Sequence, residues 1–249
     1  MRQAINARAL GRRVCILILP LVCCAVALAQ QPNAPADQYR INYELRMPHP
    51  ATHLFEVRIT VETPTSPAAL EFQLPRWSPG RYAVFDFAKN VQEVRATTAC
   101  PPQTKCEPEA LSVERLDTQT WRVPLKNGLN AVELYYKVFA NDLSGTFSQL
   151  DERHANFNGG ALFMYVVGHK PDAVGLRIEP FGNWRSVNGR MTSAAQREWQ
   201  FDNYDLLIDT PTEIGADWTS DEFKLDGRTY HVVLHAFGGE AGRRKQLVR

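Results

Sequence analysis

Apolar and polar residues alternate along much of the chain after residue 38. Residues 39–46 alternate with a period of two, and in residues 53–62 an apolar face runs from Phe55 to Val61. This period is typical of a β-strand with one buried face and one solvated face. Comparable short runs, separated by turn-forming residues, occupy 69–74, 91–98, 111–116, 120–125 and 130–139.

The second half of the chain is less regular. Residues 141–160 predict a long polar loop, and residues 209–215 predict an acidic loop. Strands are predicted at 161–167, 174–180, 184–187 and 197–201, with the last two expected to pair, and a hairpin is predicted at 223–225 and 229–237 around Asp226-Gly227. These patterns predict an all-β fold, a twisted antiparallel β-sandwich-like domain with little helix apart from the leader and the C-terminal end.

The first 29 residues have the pattern of a signal peptide. Four arginines precede an apolar run at 14–28, and Ala27-Leu28-Ala29 offers the small-x-small pattern of a cleavage site. The run is shorter than the roughly 20 residues of a membrane-spanning helix. Arg12-Arg13 leaves a twin-arginine route open and Cys23-Cys24 a lipoprotein, but the apolar core and the poor lipobox favour general secretion. We therefore predict a periplasmic or secreted protein with no membrane span after cleavage.

Two cysteines, Cys100 and Cys106, remain after the leader is removed. They flank a turn-like segment, and in an oxidising compartment such a pair indicates a local disulfide. A zinc site would need two more ligands nearby, and a redox site would favour closer spacing. We therefore predict a disulfide that staples a loop without carrying chemistry.

Composition and motifs exclude several functional classes. The net charge is +1, with 28 basic and 27 acidic residues interspersed, so nothing indicates binding to nucleic acid or to an anionic membrane. The chain has no HExxH, no GxSxG, no phosphate-binding loop and no dinucleotide fingerprint. His231 and His235 are four residues apart, but on the strand predicted there they would lie about 13 Å apart, too far to share one metal ion. No catalytic residue and no metal site is predicted in this chain.

The bend at residues 75–82 (PRWSPGRY) is the strongest local signal. Two prolines stiffen it, and Gly80 can adopt the positive φ that a type II turn requires after proline. Trp77 and Tyr82 stand on either side of the bend. They are interpreted either as a structural corner over a β core or as one wall of a ligand cleft.

Acidic residues recur at every fourth position from Asp205 to Asp217, where Pro211 and Gly215 argue against one continuous helix. Asp209 and Glu213 flank the proline. Such a pair could cap a helix, bind calcium or meet the ammonium group of a substrate, and capping with turn formation is the default interpretation.

Five segments, taken in order, resemble the N-terminal domain of the glycyl aminopeptidase family of zinc metallopeptidases. They are 47–53 (MPHPATH), 74–82 (LPRWSPGRY) followed by Asp86-Phe87-Ala88, 156–159 (NFNG) before Leu162-Phe163, Trp184 in a Gly-x-Trp context, and 204–215 (YDLLIDTPTEIG). Together they cover nearly all of the mature chain.

The resemblance implies a β domain that is followed by a thermolysin-like helical domain bearing HExxH, and often by a PDZ domain. The zinc ligands and the general-base glutamate have no counterpart here. We therefore expect a non-catalytic domain, with zinc only in a missing catalytic domain. Its partners would be that domain and a peptide substrate, whose N-terminus would face Trp77 and Tyr82 or Asp209 and Glu213.

The expected domain organisation is a signal peptide at 1–29, a linker at 30–38, the β domain at 39–239 and the start of a truncated following domain at 240–249. Two other classes stay open. A stand-alone periplasmic binding or scaffold protein requires the natural gene to stop at codon 249, and an intact small hydrolase requires a metal site that the sequence does not reveal. An in-frame HExxH beyond codon 249 would separate these cases.

Overall fold

The structure is a computed structural model that describes residues 38–78, 80–81, 83–100, 106–126 and 128–235. The predicted leader, the segment 240–249 and Tyr82 therefore lie outside the described residues. The described residues form 17 strands, which in chain order are β1 (Arg40–Arg46), β2 (Leu54–Glu62), β3 (Ala69–Gln73), β4 (Val91–Thr98), β5 (Ala110–Leu111), β6 (Glu114–Arg115), β7 (Thr120–Pro124), β8 (Ala131–Phe139), β9 (Ser148–Leu150), β10 (His154–Phe157), β11 (Tyr165–Val166), β12 (Val174–Glu179), β13 (Arg185–Val187), β14 (Glu198–Phe201), β15 (Thr212–Gly215), β16 (Thr219–Leu225) and β17 (Arg228–Leu234). The helical elements among these described residues are one short helix, α1 (Tyr204–Ile208), and 3-10 turns at Pro50–Thr52, Phe87–Asn90 and Gly159–Ala161.

The described strands form three larger sheets and one separate hairpin. The seven-stranded sheet has the order β14-β12-β1-β2-β8-β4-β5, and the two four-stranded sheets are β11-β3-β7-β6 and β13-β15-β10-β9. Pairing is antiparallel throughout except between β1 and β12, which are parallel. The predicted all-β, sandwich-like fold with little helix is confirmed.

Strand β2 shows how the sequence pattern builds the core. Its apolar positions from Phe55 to Val61 are fully buried, while Arg58 on the other face contacts Glu44 at 3.4 Å. One cluster of buried side chains joins residues of all three larger sheets, among them Ile59, Phe72 and Ile214. The alternating strands therefore share a single apolar core.

Three buried tyrosines hold the irregular segment that precedes β11. Buried backbone outside a sheet must find hydrogen-bond partners elsewhere, and here the hydroxyl groups supply them. Burial raises the pKa of all three hydroxyls. Each donates to one of three consecutive carbonyl oxygens: Tyr136 to Leu162 at 2.8 Å, Tyr204 to Phe163 at 2.6 Å and Tyr43 to Met164 at 2.8 Å.

Two segments predicted as loops contain strands. The segment 141–160 includes β9 and β10, and the segment 209–215 includes β15. These strands are short and partly polar, without a sustained alternation. They are strands because β10 pairs with both β9 and β15, and β15 comes from about 55 residues further along the chain.

Other predicted strands differ in extent or partner. The strand expected at 161–167 is reduced to β11, because the tyrosine-held segment occupies its first half. The run at 111–116 divides into β5 and β6, which join different sheets. The expected pairing of 184–187 with 197–201 is wrong: β13 pairs with β15, and β14 pairs with β12.

The predicted disulfide joins Cys100 and Cys106, whose Cα atoms lie 5.8 Å apart, in the connection between β4 and β5. The hairpin predicted around Asp226-Gly227 is also present, as β16 and β17. Within the described ranges, no helix has the length and apolar character needed to cross a membrane.

Candidate functional site: a groove beside Glu213

A groove of about 380 Å³ lies beside the pair β10–β15, on the side of the separate hairpin. Asn156 and Glu213 stand directly opposite each other in the register of these two strands. The amide Nδ2 of Asn156 donates to Oε2 of Glu213 at 3.0 Å. The hairpin contributes Ser220, His231 and Val233 to the lining. The groove therefore combines the carboxylate of Glu213 with the amides of Asn156 and Asn188, one imidazole, two hydroxyl groups, and small or apolar residues.

The other oxygen of Glu213 contacts a histidine that follows β17. Nδ1 of His235 lies 2.5 Å from Oε1 of Glu213, and Nε2 of the same ring lies 2.7 Å from Oδ1 of Asp217. The His235 side chain is only 6% exposed. Each ring nitrogen of His235 therefore lies within hydrogen-bond distance of a carboxylate oxygen. This pair of contacts fastens the base of the hairpin to β15.

Gly215 is required for this arrangement. A Cβ added to Gly215 would overlap the imidazole ring of His235. A larger residue in β15 would therefore displace the ring from Glu213. Glycine serves here as the place where a side chain approaches the backbone closely.

A second histidine–carboxylate pair lies behind the first. The ring of His154 packs at 5.3 Å and 89° against the ring of His235, and its Nδ1 lies 3.3 Å from Oδ1 of Asp151. Backbone N–H groups of Arg153 and His154 donate to the same Oδ1 at 2.8 and 3.1 Å. Burial acts to raise the pKa of Asp151, but these N–H groups and the charge of His154 together hold the pKa below its ordinary value.

These residues do not fit a zinc ion. Glu213 and Asp217 face opposite nitrogens of one ring, so their oxygens do not converge with the ring on a single point, as tetrahedral zinc requires. Across the part of the chain that the structure describes, no three His, Cys, Asp or Glu side chains form a group that could hold a metal.

Of the four predicted substrate-binding residues, Glu213 lines the groove, Asp209 and Trp77 do not, and Tyr82 is not described. Glu213 is half-buried and lines the groove. Asp209 is exposed at the end of α1, where its N–H bonds the Asp205 carbonyl at 3.0 Å, and it does not line the groove. Trp77 is 53% exposed on the bend, and Tyr82 is outside the described residues.

The described residues of the bend, 75–78 and 80–81, belong to a turn. Gly80 has a φ of 85°, as predicted, and the N–H of Phe85 bonds the Arg76 carbonyl at 2.7 Å. Ser78 is buried, and a Cβ on Gly160 would lie only 2.9 Å from the Cβ of Ser78. Ser78 of the bend therefore packs closely on Gly160, in the segment that follows β10.

Sequence reasoning did not identify Asn156, Asp217 and His235 as members of one cluster. A signal for His235 was present: counting outward from the two-residue turn Asp226-Gly227 places it opposite Trp218, next to Asp217. The pairing of Asn156 with Glu213 had no local signal, because β10 does not alternate.

Residues 42–216 match the family model of the peptidase M61 N-terminal domain. This range includes Asn156 and Glu213 and ends before β16. No curated protein matches the chain.

Solved structures are similar over most of the chain. An aminopeptidase N family protein from Idiomarina loihiensis aligns with a TM-score of 0.69 and 26% identity, over 83% of this chain and 35% of that one. The chain thus spans about a third of that protein's length (35%). A variant of the M1 zinc metallopeptidase from Deinococcus radiodurans, bound to a Tyr-Ser-Ala substrate, aligns weakly, with a TM-score of 0.40 and 12% identity over 83% of this chain and 51% of that one. Aminopeptidase A from Legionella pneumophila, in complex with aspartic acid, aligns with a TM-score of 0.40 and 10% identity over 81% and 24%.

Proposed function

Because the chain belongs to the family of peptidase M61 N-terminal domains, we propose that it is the non-catalytic β domain of an exported zinc metallo-aminopeptidase. In this proposal it packs on the catalytic domain and helps to form the substrate cleft. The family match is the observation that carries the proposal. It is supported by the Idiomarina loihiensis protein, of which only 35% is covered, which leaves room for a further domain.

Zinc would belong to that catalytic domain. A hydrolytic zinc site uses three protein ligands and a bound water, and the metal supplies the activated water for peptide cleavage. The described residues offer no such set, so the contribution of this chain would be to bind and orient the peptide.

The groove beside Glu213 is the part of the domain best suited to meet a peptide N-terminus. A carboxylate has about four lone-pair sites, and Asn156 and His235 each engage one oxygen of Glu213. The remaining capacity can accept from an α-ammonium group, which is the complementary charged donor. Asp209 lies outside the groove, so Glu213 is the stronger of the two acidic candidates, with Trp77 and Tyr82 as candidates on the bend.

Export to the periplasm or the medium is part of the same proposal. Its support is the leader pattern and the disulfide between Cys100 and Cys106, because disulfides persist mainly in oxidising compartments. Fractionation of cells that express the natural gene tests it, and accumulation in the cytoplasm with the leader intact would contradict it.

Kinetics of a Glu213→Gln variant test the role of the groove. The protein to use is the complete gene product, read to its natural stop codon, with short peptides as substrates. Loss of one charged hydrogen bond to the substrate predicts a rise in KM of roughly tenfold, with kcat much less affected. Unchanged kinetics would contradict the role of Glu213.

Two matched variants separate binding from structure. Asp217→Asn removes the other carboxylate from His235 without touching the groove lining, and Glu222→Gln removes a β16 carboxylate that lies 3.8 Å from His231. Both should leave KM close to that of the wild type. If Asp217→Asn raises KM as much as Glu213→Gln, then Glu213 acts through His235 and not on the substrate.

A further inference from the structure

The hairpin formed by β16, β17 and the turn between them, here called the hairpin arm, stands apart from the three larger sheets. It pairs with no other described strand. Asp226 and Gly227 have φ values of 49° and 73°, as a two-residue hairpin turn of type I′ requires. An isolated two-stranded hairpin is marginally stable in water, so the arm needs support at its base or along its faces.

The base of the arm is firmly held. His235 contacts both Glu213 and Asp217, and Nε1 of Trp218 donates to the Arg185 carbonyl at 2.8 Å. The guanidinium of Arg185 lies 4.2 Å from the centre of the Trp218 ring. The arm therefore leaves the β domain at a fixed point, immediately beside the groove.

The two faces of the arm differ in character. One face carries Ser220, His231 and Val233, which line the groove. The opposite face carries Phe223 and Tyr230, which are paired in the register and stacked at 5.1 Å and 7°, together with Leu225.

The face with Phe223 is open to solvent. Phe223, Leu225 and Tyr230 are 37%, 55% and 40% exposed. Contiguous exposed apolar side chains of this kind mark interaction surfaces, and aromatic residues are enriched at the centres of such surfaces.

We propose that this apolar face docks on the catalytic domain of the metallopeptidase and is buried by it. The proposal rests on the function proposed above. The family match ends at residue 216, before the arm begins, so the arm lies outside the segment that defines the N-terminal domain. In the Idiomarina loihiensis protein, the uncovered part of the chain is large enough to supply an apolar partner, since only 35% of it is aligned.

Docking of the catalytic domain on the hairpin arm would bring that domain to the groove. The base of the arm and the groove share Glu213, so a catalytic domain seated on the arm would lie next to the carboxylate proposed to receive the substrate. The arm would thus set the position of the two domains at the cleft.

Hydrogen exchange tests the proposal directly. Amide exchange of residues 219–234 is compared between the complete gene product and this 249-residue chain. Docking predicts that exchange in the arm is slower by about tenfold or more in the complete protein, while exchange in β2 is the same in both.

A variant pair adds a second readout. Phe223→Ser with Tyr230→Ser should restore fast exchange in the complete protein and lower its peptidase activity. Lys224 and Thr229 are a cross-strand pair on the face that also carries His231. The control Lys224→Ser with Thr229→Ser should change neither the exchange of the arm nor the peptidase activity. If the first variant does not fold, the comparison of exchange between the unsubstituted complete gene product and the unsubstituted 249-residue chain still tests the docking.

The outcomes separate this proposal from the proposed function. Equal exchange of the arm in both proteins, with peptidase activity present, overturns the docking and leaves the function standing. A complete gene product without peptidase activity overturns both. A dimer of this chain that dissociates on substitution of Phe223 and Tyr230 would assign the surface to a second copy and overturn the docking.

Discussion

His235 and Glu213 are joined by a 2.5 Å contact between Nδ1 and Oε1. The contact links the end of β17 to β15, two strands that belong to different sheets. The other oxygen of Glu213 accepts from Asn156 on the neighbouring strand β10. One carboxylate therefore both lines the groove and holds the hairpin arm in place, so the two features should respond together to substitution.

Replacing His235 by alanine should loosen the arm. The variant loses two contacts between a buried ring and carboxylates, which predicts a fall of about 1–3 kcal/mol in the free energy of local opening. Hydrogen exchange of residues 219–234 measures it. His231→Ala is the matched control, because His231 is exposed and its acidic neighbour Glu222 is 3.8 Å away. Equal effects of the two substitutions would contradict the anchoring role of His235.

Gly215→Ala should have a similar local effect through a steric route. The added Cβ would overlap the His235 ring, and forced overpacking typically costs about 1–3 kcal/mol. Urea unfolding of the chain measures the global part, and exchange in the arm measures the local part. Gly189→Ala is the control, since a Cβ there would meet no atom within 4 Å. Wild-type behaviour of Gly215→Ala would show that the ring does not require this approach.

Tyr136→Phe should destabilise the whole fold. The hydroxyl donates to the Leu162 carbonyl at 2.8 Å and accepts from the Met164 N–H at 3.0 Å, so its removal leaves two buried backbone groups without this partner. The expected loss is about 1–3 kcal/mol in the free energy of unfolding, seen as a lower midpoint in urea. Tyr135→Phe, next along β8 on the partly exposed face, should lose much less; equal losses would argue against the hydrogen bonds as the cause.

Asp151 should make stability depend on acid pH. Its pKa is lowered in the folded chain, because the N–H bonds and the charge of His154 outweigh the effect of burial. A carboxyl group with a lowered pKa contributes stability that is fully present above its unfolded pKa of about 3.9 and is lost as the pH falls through the folded value. Asp151→Asn should therefore be less stable than the wild type at neutral pH, and the difference should shrink in this acid range. A difference that is independent of pH would contradict the assignment.

The sequence predicted the fold wherever one face of a strand is buried against the common core. In β2 the burial of Phe55 and Val57 follows directly from the period of the pattern. In β10 and β15 the pattern gives no such indication, because these four-residue strands lack a sustained alternation and carry polar residues, Asn156 and Glu213, at paired positions.

Only part of the candidate site could be predicted from the sequence. Glu213 stood out as an acidic residue beside a proline turn, whereas Asp209 has the same local signal and lies outside the groove. What distinguishes them is tertiary: Glu213 is in β15, opposite Asn156 and in contact with His235. The close approach of the His235 ring to Gly215 likewise cannot be predicted from the sequence, because it depends on how the hairpin lies against β15.

Peptidase activity of the complete gene product, with and without a zinc chelator, tests the central claim most directly. If this chain is the β domain of a zinc metallo-aminopeptidase, the purified protein should contain zinc and release N-terminal residues from short peptides. It should lose that activity with the chelator and regain it when zinc is restored. A complete gene product that ends at codon 249, contains no zinc and cleaves no peptide would contradict the claim.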